Sequence, residues 1–118
     1  MTNVETPLGR ITVGRRAIAT IAAQAAARSY GIVGMGSRSL PDQLARKLSR
    51  DPRHGVLVRV HEDRITIDLY VIVEYGTRIS SVAHSVANTV RYQVERSLGL
   101  PIAEVNVHVQ DLHISDID

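Results

Sequence analysis

Apolar positions along this chain follow two periods, and the switch between them marks out its elements. From Val56 the period is two: Val56, Val58 and Val60 alternate with Leu57, Arg59 and His61. After Glu62-Asp63 the alternation resumes, with Ile65, Ile67, Leu69, Val71 and Val73 on one face and Thr66, Asp68, Tyr70, Ile72 and Glu74 on the other. This pattern predicts an antiparallel hairpin with one apolar and one mixed face. Beyond Tyr75-Gly76 the spacing lengthens to three and four. Ile79, Val82, Ala83, Val86, Val90 and Val94 predict an amphipathic helix over 79–98, with Ser81, His84, Ser85, Asn88, Arg91, Glu95 and Arg96 on its solvated side. Gly99-Leu100-Pro101 ends that helix and leads into Val105, Val107 and Val109. The apolar phase then moves to Leu112 and Ile114, which predicts a bulge or strand end at Gln110-Asp111, because one extra residue turns every later side chain over.

The first half of the chain is less regular. Gly9 to Val13 reads as a short strand with Ile11 and Val13 on one face, and Arg15 to Ser29 as an Ala-rich helix with Ile18, Ile21, Ala22, Ala25 and Ala26 on one side. Thr12 or Gly14 starts this helix, and Tyr30-Gly31 ends it with the glycine left-handed. Its small side chains allow another backbone to come close, either the sheet beneath or a second copy of the chain. Ile32 to Gly36 reads as an edge strand. Ser39 and Pro41 open a short helix with Leu40, Leu44 and Leu48 inward, and Asp51 to Gly55 is a turn. The polar residues 1–8 and the acidic residues 115–118 are expected to be flexible ends around one domain, 9–114. Together the elements predict an α+β two-layer sandwich, with two main helices on one face of a largely antiparallel, four- to five-stranded sheet.

Composition narrows the function classes. Four Tyr with no Phe and no Trp leave few rings on which bases could stack, which weighs against a single-stranded nucleic-acid binder. The absence of cysteine removes disulfides, thiolate metal sites and cysteine nucleophiles. The longest apolar run, Ala17 to Ala27, is about half what a bilayer requires, and residues 1–5 lack the features of a secretory signal. The expectation is a cytoplasmic protein that does not itself insert into a membrane. Among 14 basic residues only Lys47 is not Arg, and the net charge is +2. That balance permits an acidic partner without requiring one.

No chemistry-bearing constellation stands out. His108 and His113 flank Asp111, but no HExxH motif or close His pair accompanies them, so no metal site is assigned. Ser80, Ser81 and Ser85 lie near His84 on a helix flank whose solvation explains them, with no Gly-x-Ser-x-Gly turn. Asp68 and Glu74 are too far apart on a strand to share a proton. Gly31 and Gly34 mimic a Gly-x-x-Gly phosphate loop, yet the intervening Ile32-Val33 calls for burial. No catalytic residue and no cofactor is assigned. Two surfaces remain. Arg38, Arg46, Lys47, Arg50 and Arg53 form a basic segment suited to an anionic partner, RNA included. Leu57, Tyr70 and Ile72 make the outward face of the hairpin more apolar than a solvated face, which suits an interaction surface.

Several stretches in order resemble the alkaline-shock and general-stress envelope proteins of Gram-positive bacteria. They are Gly9-Arg10-Ile11 before the Ala/Ile-rich helix, Gly31-Ile32 after it, and Val73-Glu74-Tyr75-Gly76. Ile79…Val82-Ala83…Val86 and Gly99-Leu100…Val105-Asn106-Val107-His108-Val109 complete the set. The resemblance implies a non-catalytic interaction or scaffold protein of the envelope stress response, linked to envelope and lipid homeostasis. It further implies self-association and a membrane-anchored protein partner that holds the chain near the membrane. The alternative from the residues is a nucleic-acid-binding module that uses the basic segment 38–53.

Overall fold

A computed structural model of the chain describes residues 2–36 and 55–114, with side chains from residue 5 onward. In order, the elements are β1 (Thr2–Thr6), β2 (Gly9–Val13), α1 (Arg15–Ala27), β3 (Ile32–Met35), β4 (Val56–His61), β5 (Arg64–Glu74), α2 (Ile79–Leu98) and β6 (Glu104–His113). The short helix expected after Ser39 lies outside the described residues.

Strand β5 is the centre of the main sheet. Along one edge it pairs in parallel with β6, from Thr66↔Glu104 to Glu74↔His113. Two strands share its other edge. β4 runs antiparallel from His61↔Arg64 to Val56↔Leu69, and β3 pairs with Val71 to Val73. They meet at Tyr70, whose N–H donates to the Gly55 carbonyl (2.8 Å) and whose carbonyl accepts from Gly36 N–H (2.6 Å). Gly36 and Gly55 are therefore brought together on a single residue of β5. Gly55 sits at φ +90°, and a Cβ there would stand 2.7 Å from the Gly36 carbonyl oxygen and 2.9 Å from Met35 Cβ. Only glycine meets both the dihedral and the space.

The α+β class and the two-layer arrangement are as the periodicity predicts. The β4–β5 turn is two residues long, with Glu62 and Asp63 both at positive φ (49° and 66°), a geometry that matches the twist of a hairpin. Gln110 is the extra residue of a bulge, since Val71 pairs with Val109 and Ile72 with Asp111. β5 and β6 are parallel because α2 carries the chain back over the sheet between them. Residues 2–6 do not form a loose lead-in. They are β1, which pairs with β2 from Thr2↔Val13 to Thr6↔Gly9 in a separate two-stranded sheet.

Both helices cover one face. Ile65, Ile67, Leu69, Val71 and Val73 of β5 form one core with Ile18, Ala22 and Ala26 of α1 and Val82, Val86, Val90 and Val94 of α2. Ile79, expected inward, is exposed in the first turn of α2. The Ala stripe of α1 is used within the molecule, since Ala19, Ala22, Ala23, Ala25 and Ala26 are all buried. Helix α1 stops at Ala27 with Arg28 as its cap, so Gly31 has another task. A Cβ on Gly31 would lie 2.8 Å from Val82 Cγ2, so its bareness lets the α1–β3 turn press against α2. At the far end of α2, Ile102 N–H donates to Glu95 Oε2 (2.8 Å), and Leu100 and Ile102 are drawn into the core.

Replacing Gly55 by Ala is expected to destabilise the fold by about 2–3 kcal/mol, from the unfavourable φ together with the contact on Gly36. A chemical denaturation midpoint measured against the parent checks this; an unchanged midpoint would mean the pinch at Tyr70 relaxes freely.

Candidate functional site

With both helices on the odd-numbered face of β5, its even-numbered residues form a second face. Among the described residues no helix or strand lies across it. The register assembles this face from three strands. Leu57 stands opposite Asp68, Arg59 opposite Thr66, Asn106 opposite Asp68 and His108 opposite Tyr70. Leu57, Tyr70 and Ile72 thus share one surface, with Leu57 40% exposed and the other two half-buried. Ile72 reaches to 3.8 Å from the Cβ position of Gly34 on β3.

Asp68 sits at the centre and is only 5% exposed, although the face is open. Three side chains close around its carboxylate. Arg59 places Nε (2.9 Å) and Nη2 (2.8 Å) on Oδ2. Asn106 Nδ2 donates to Oδ1 at 3.2 Å, and His108 Nε2 stands 3.1 Å from the same oxygen. An ionised carboxylate only accepts, so His108 Nε2 carries the hydrogen in that contact. Tyr70 stacks on the His108 ring, with centroids 4.6 Å apart and planes 15° from parallel. Burial by itself pushes the Asp68 carboxyl up. The hydrogen bonds from His108, Asn106 and Arg59, with the Arg59 charge, outweigh it and hold the group below its ordinary value.

A second pair of the same kind lies beyond the bulge, where His113 Nδ1 approaches Glu74 Oε2 at 2.9 Å. The two histidines of β6 therefore reach to β5 carboxylates and do not converge on one another. Among the described residues no group of three or more His, Cys, Asp and Glu side chains gathers as a metal site would. Ser80, Ser81, His84 and Ser85 line a shallow concavity on the outer side of α2 with Asn88 and Thr89, and that lining holds no carboxylate. Gly31 and Gly34 bracket a helix exit and the start of β3, with Ile32 buried, so they do not form a loop between two helices. The basic set Arg38, Arg46, Lys47, Arg50 and Arg53 lies outside the described residues.

Sequence reasoning placed Leu57, Tyr70 and Ile72 on one face but missed the cluster at its centre. The usable signal was phase: Asp68 shares the alternation of Tyr70 and Ile72, Arg59 that of Leu57, and Asn106 that of His108. What joins them is the parallel β5–β6 pairing, across 38 to 40 residues of chain.

The arrangement defines a small α+β domain: a helix-backed sheet across whose other side no described element lies, half apolar and built around one ionised, hydrogen-bonded carboxylate. The same fold occurs in the MamM CTD in its copper form, with a TM-score of 0.52 at 17% identity over 88% of this chain and 92% of that one. At the level of sequence, the chain belongs to the alkaline-shock ASP23 family, described as having a cell envelope-related function, and the match spans residues 3–114. It is 40% identical over 115 residues to the protein YloU of Bacillus subtilis (strain 168), covering 96% of each chain. It is also 28% identical over 107 residues to a stress response regulator gls24 homolog of Streptococcus pyogenes, covering 88% of this chain and 59% of that protein.

Removing the central carboxylate by Asp68→Ala leaves three donors without their shared acceptor, and is expected to cost about 2 kcal/mol. Half-exposed Arg59 keeps access to water, which holds the loss toward the low end for a buried polar network. The pH dependence follows from the lowered carboxyl. Its stabilisation is complete above the unfolded-chain value of about 3.9 and is lost as pH falls through the lower folded-state value. Thermal melts from pH 6 to pH 3 are expected to show a steeper acid decline in the parent than in Asp68→Ala. Parallel declines would place the acid sensitivity elsewhere.

Proposed function

We propose that this chain is a non-catalytic interaction protein of the cell-envelope stress response, and that it assembles with copies of itself through the uncovered sheet face, with Leu57, Tyr70 and Ile72 as contacts. The carrying observation is that this face keeps Leu57, Tyr70 and Ile72 beside a fully hydrogen-bonded polar centre, with no described element across it. A face evolved only for water has no need of large apolar side chains at its middle, whereas an interface uses apolar contact for affinity and a satisfied polar centre for orientation. The family's envelope-related function and a relative's name as a stress response regulator supply the context. No helix among the described residues is long and apolar enough to cross a membrane. Contact with the envelope, including any role in lipid homeostasis, then runs through a membrane-anchored protein partner, with this chain on the cytoplasmic side.

Ile72→Glu sets a charge in the middle of the proposed contact while leaving the helix-facing core untouched. Sedimentation velocity across a concentration series is expected to show assembly weakened at least tenfold, about 1.4 kcal/mol, with an unchanged circular dichroism spectrum. Assembly equal to the parent's would remove this face as the interface.

A further inference from the structure

The β1–β2 hairpin has two unlike faces. Its register pairs Val4 with Ile11, Thr2 with Val13, Glu5 with Arg10 and Asn3 with Thr12, so Ile11 and Val13 of β2 share one side and Arg10 and Thr12 the other. The polar side is closed by an Arg10–Glu5 ion pair at 3.7 Å. On the apolar side Ile11 is 53% exposed, and Leu8 in the turn is 99% exposed. A two-stranded hairpin alone is marginal in water and is stabilised by a third strand or by packing of its apolar face. Among the described residues the hairpin pairs with no other strand, and Val13 at its base packs against the core.

We infer that the hairpin is an exchange arm: its apolar face, with Ile11 at the centre, packs on the uncovered sheet face of a second copy, over Leu57, Tyr70 and Ile72. The inference rests on the self-association proposed above and adds the element that completes the contact. Among the described residues each chain leaves one apolar arm face and one mixed sheet face without a covering element, so reciprocal docking about a two-fold axis covers both kinds at once. The dimensions agree. The five-residue strands of the arm and the five-residue run from Asp68 to Ile72 along β5 both span about 13 Å. The charges agree as well. Exposed Arg15 and Arg16 stand at the base of the arm, and exposed Glu104 and Asp111 border the sheet face on β6. Opposite charges at the rim fix the direction in which the arm lies.

The chain has no cysteine, so introduced thiols report contacts without background. An Ile11→Cys chain mixed with an Ile72→Cys chain and treated with a short bismaleimide is expected to give the mixed cross-linked dimer as the main product. Cross-linking of Ile11→Cys chains only to each other would show the arms pairing together, and absence of the mixed product would show the arm lying elsewhere; either overturns the inference. A second variant separates this inference from the reading beneath it. Ile11→Glu, at an exposed position, is expected to weaken assembly about tenfold with an unchanged melting temperature. Should Ile72→Glu disrupt assembly while Ile11→Glu leaves it intact, the arm is dismissed and the sheet-face contact stands. Should the parent be monomeric at every concentration, both fall.

Discussion

Asp68 bonds to side chains on both edges of β5, Arg59 on β4 and Asn106 and His108 on β6, and this contact fixes the register of β6 on β5. The apolar alternation cannot do so alone. The two-residue turn at Glu62-Asp63 holds β4 in place, but Val105, Val107 and Val109 would still keep their face if β6 slid by two residues along β5. A one-residue slip is forbidden because it inverts the faces, but a two-residue slip preserves them. What the longer slip destroys is the set of donors around one nearly buried carboxylate, leaving a charge short of partners. Breaking such a set is strongly destabilising, which makes a polar group a better register pin than any valine.

That pin has consequences for the face on which it stands. A sheet side made only of Leu57, Tyr70 and Ile72 would accept any greasy partner in any orientation. With Asp68 and its donors in the middle, a covering surface must leave their hydrogen bonds intact or replace them, so poorly matched partners are penalised. The Tyr70–His108 stack adds a flat, half-exposed patch beside the polar centre. The helices on the opposite side contribute nothing to this selectivity. Their Ala and Val side chains share one core with the buried residues of β5.

Much of this architecture was legible along the chain. The β4–β5 hairpin, helix α2 with its left-handed Gly99 and the bulge at Gln110 all follow from local periodicity and turn chemistry, which depend on neighbours a few residues away. Strand β1 was not legible, because Thr2, Asn3 and Glu5 dilute its alternation and its partner face is outside the main core. The Asp68 cluster was not legible either. Its members read as unrelated outward positions until the order β4–β5–β6 is known, and that order is set by how α2 crosses the sheet, not by any local pattern. Leu57, Tyr70 and Ile72 could be grouped on a face from their phase alone, yet only the three-strand register shows what that face surrounds.

The meeting of β3 and β4 at Tyr70 couples two strands that are far apart along the chain. Gly36 and Gly55 bond to the carbonyl and amide of the same residue, so the two ends of the stretch between them are clamped side by side whatever that stretch contains. A change at either glycine therefore acts on two strands at once, because β3 and β4 are held to the edge of β5 through one shared residue.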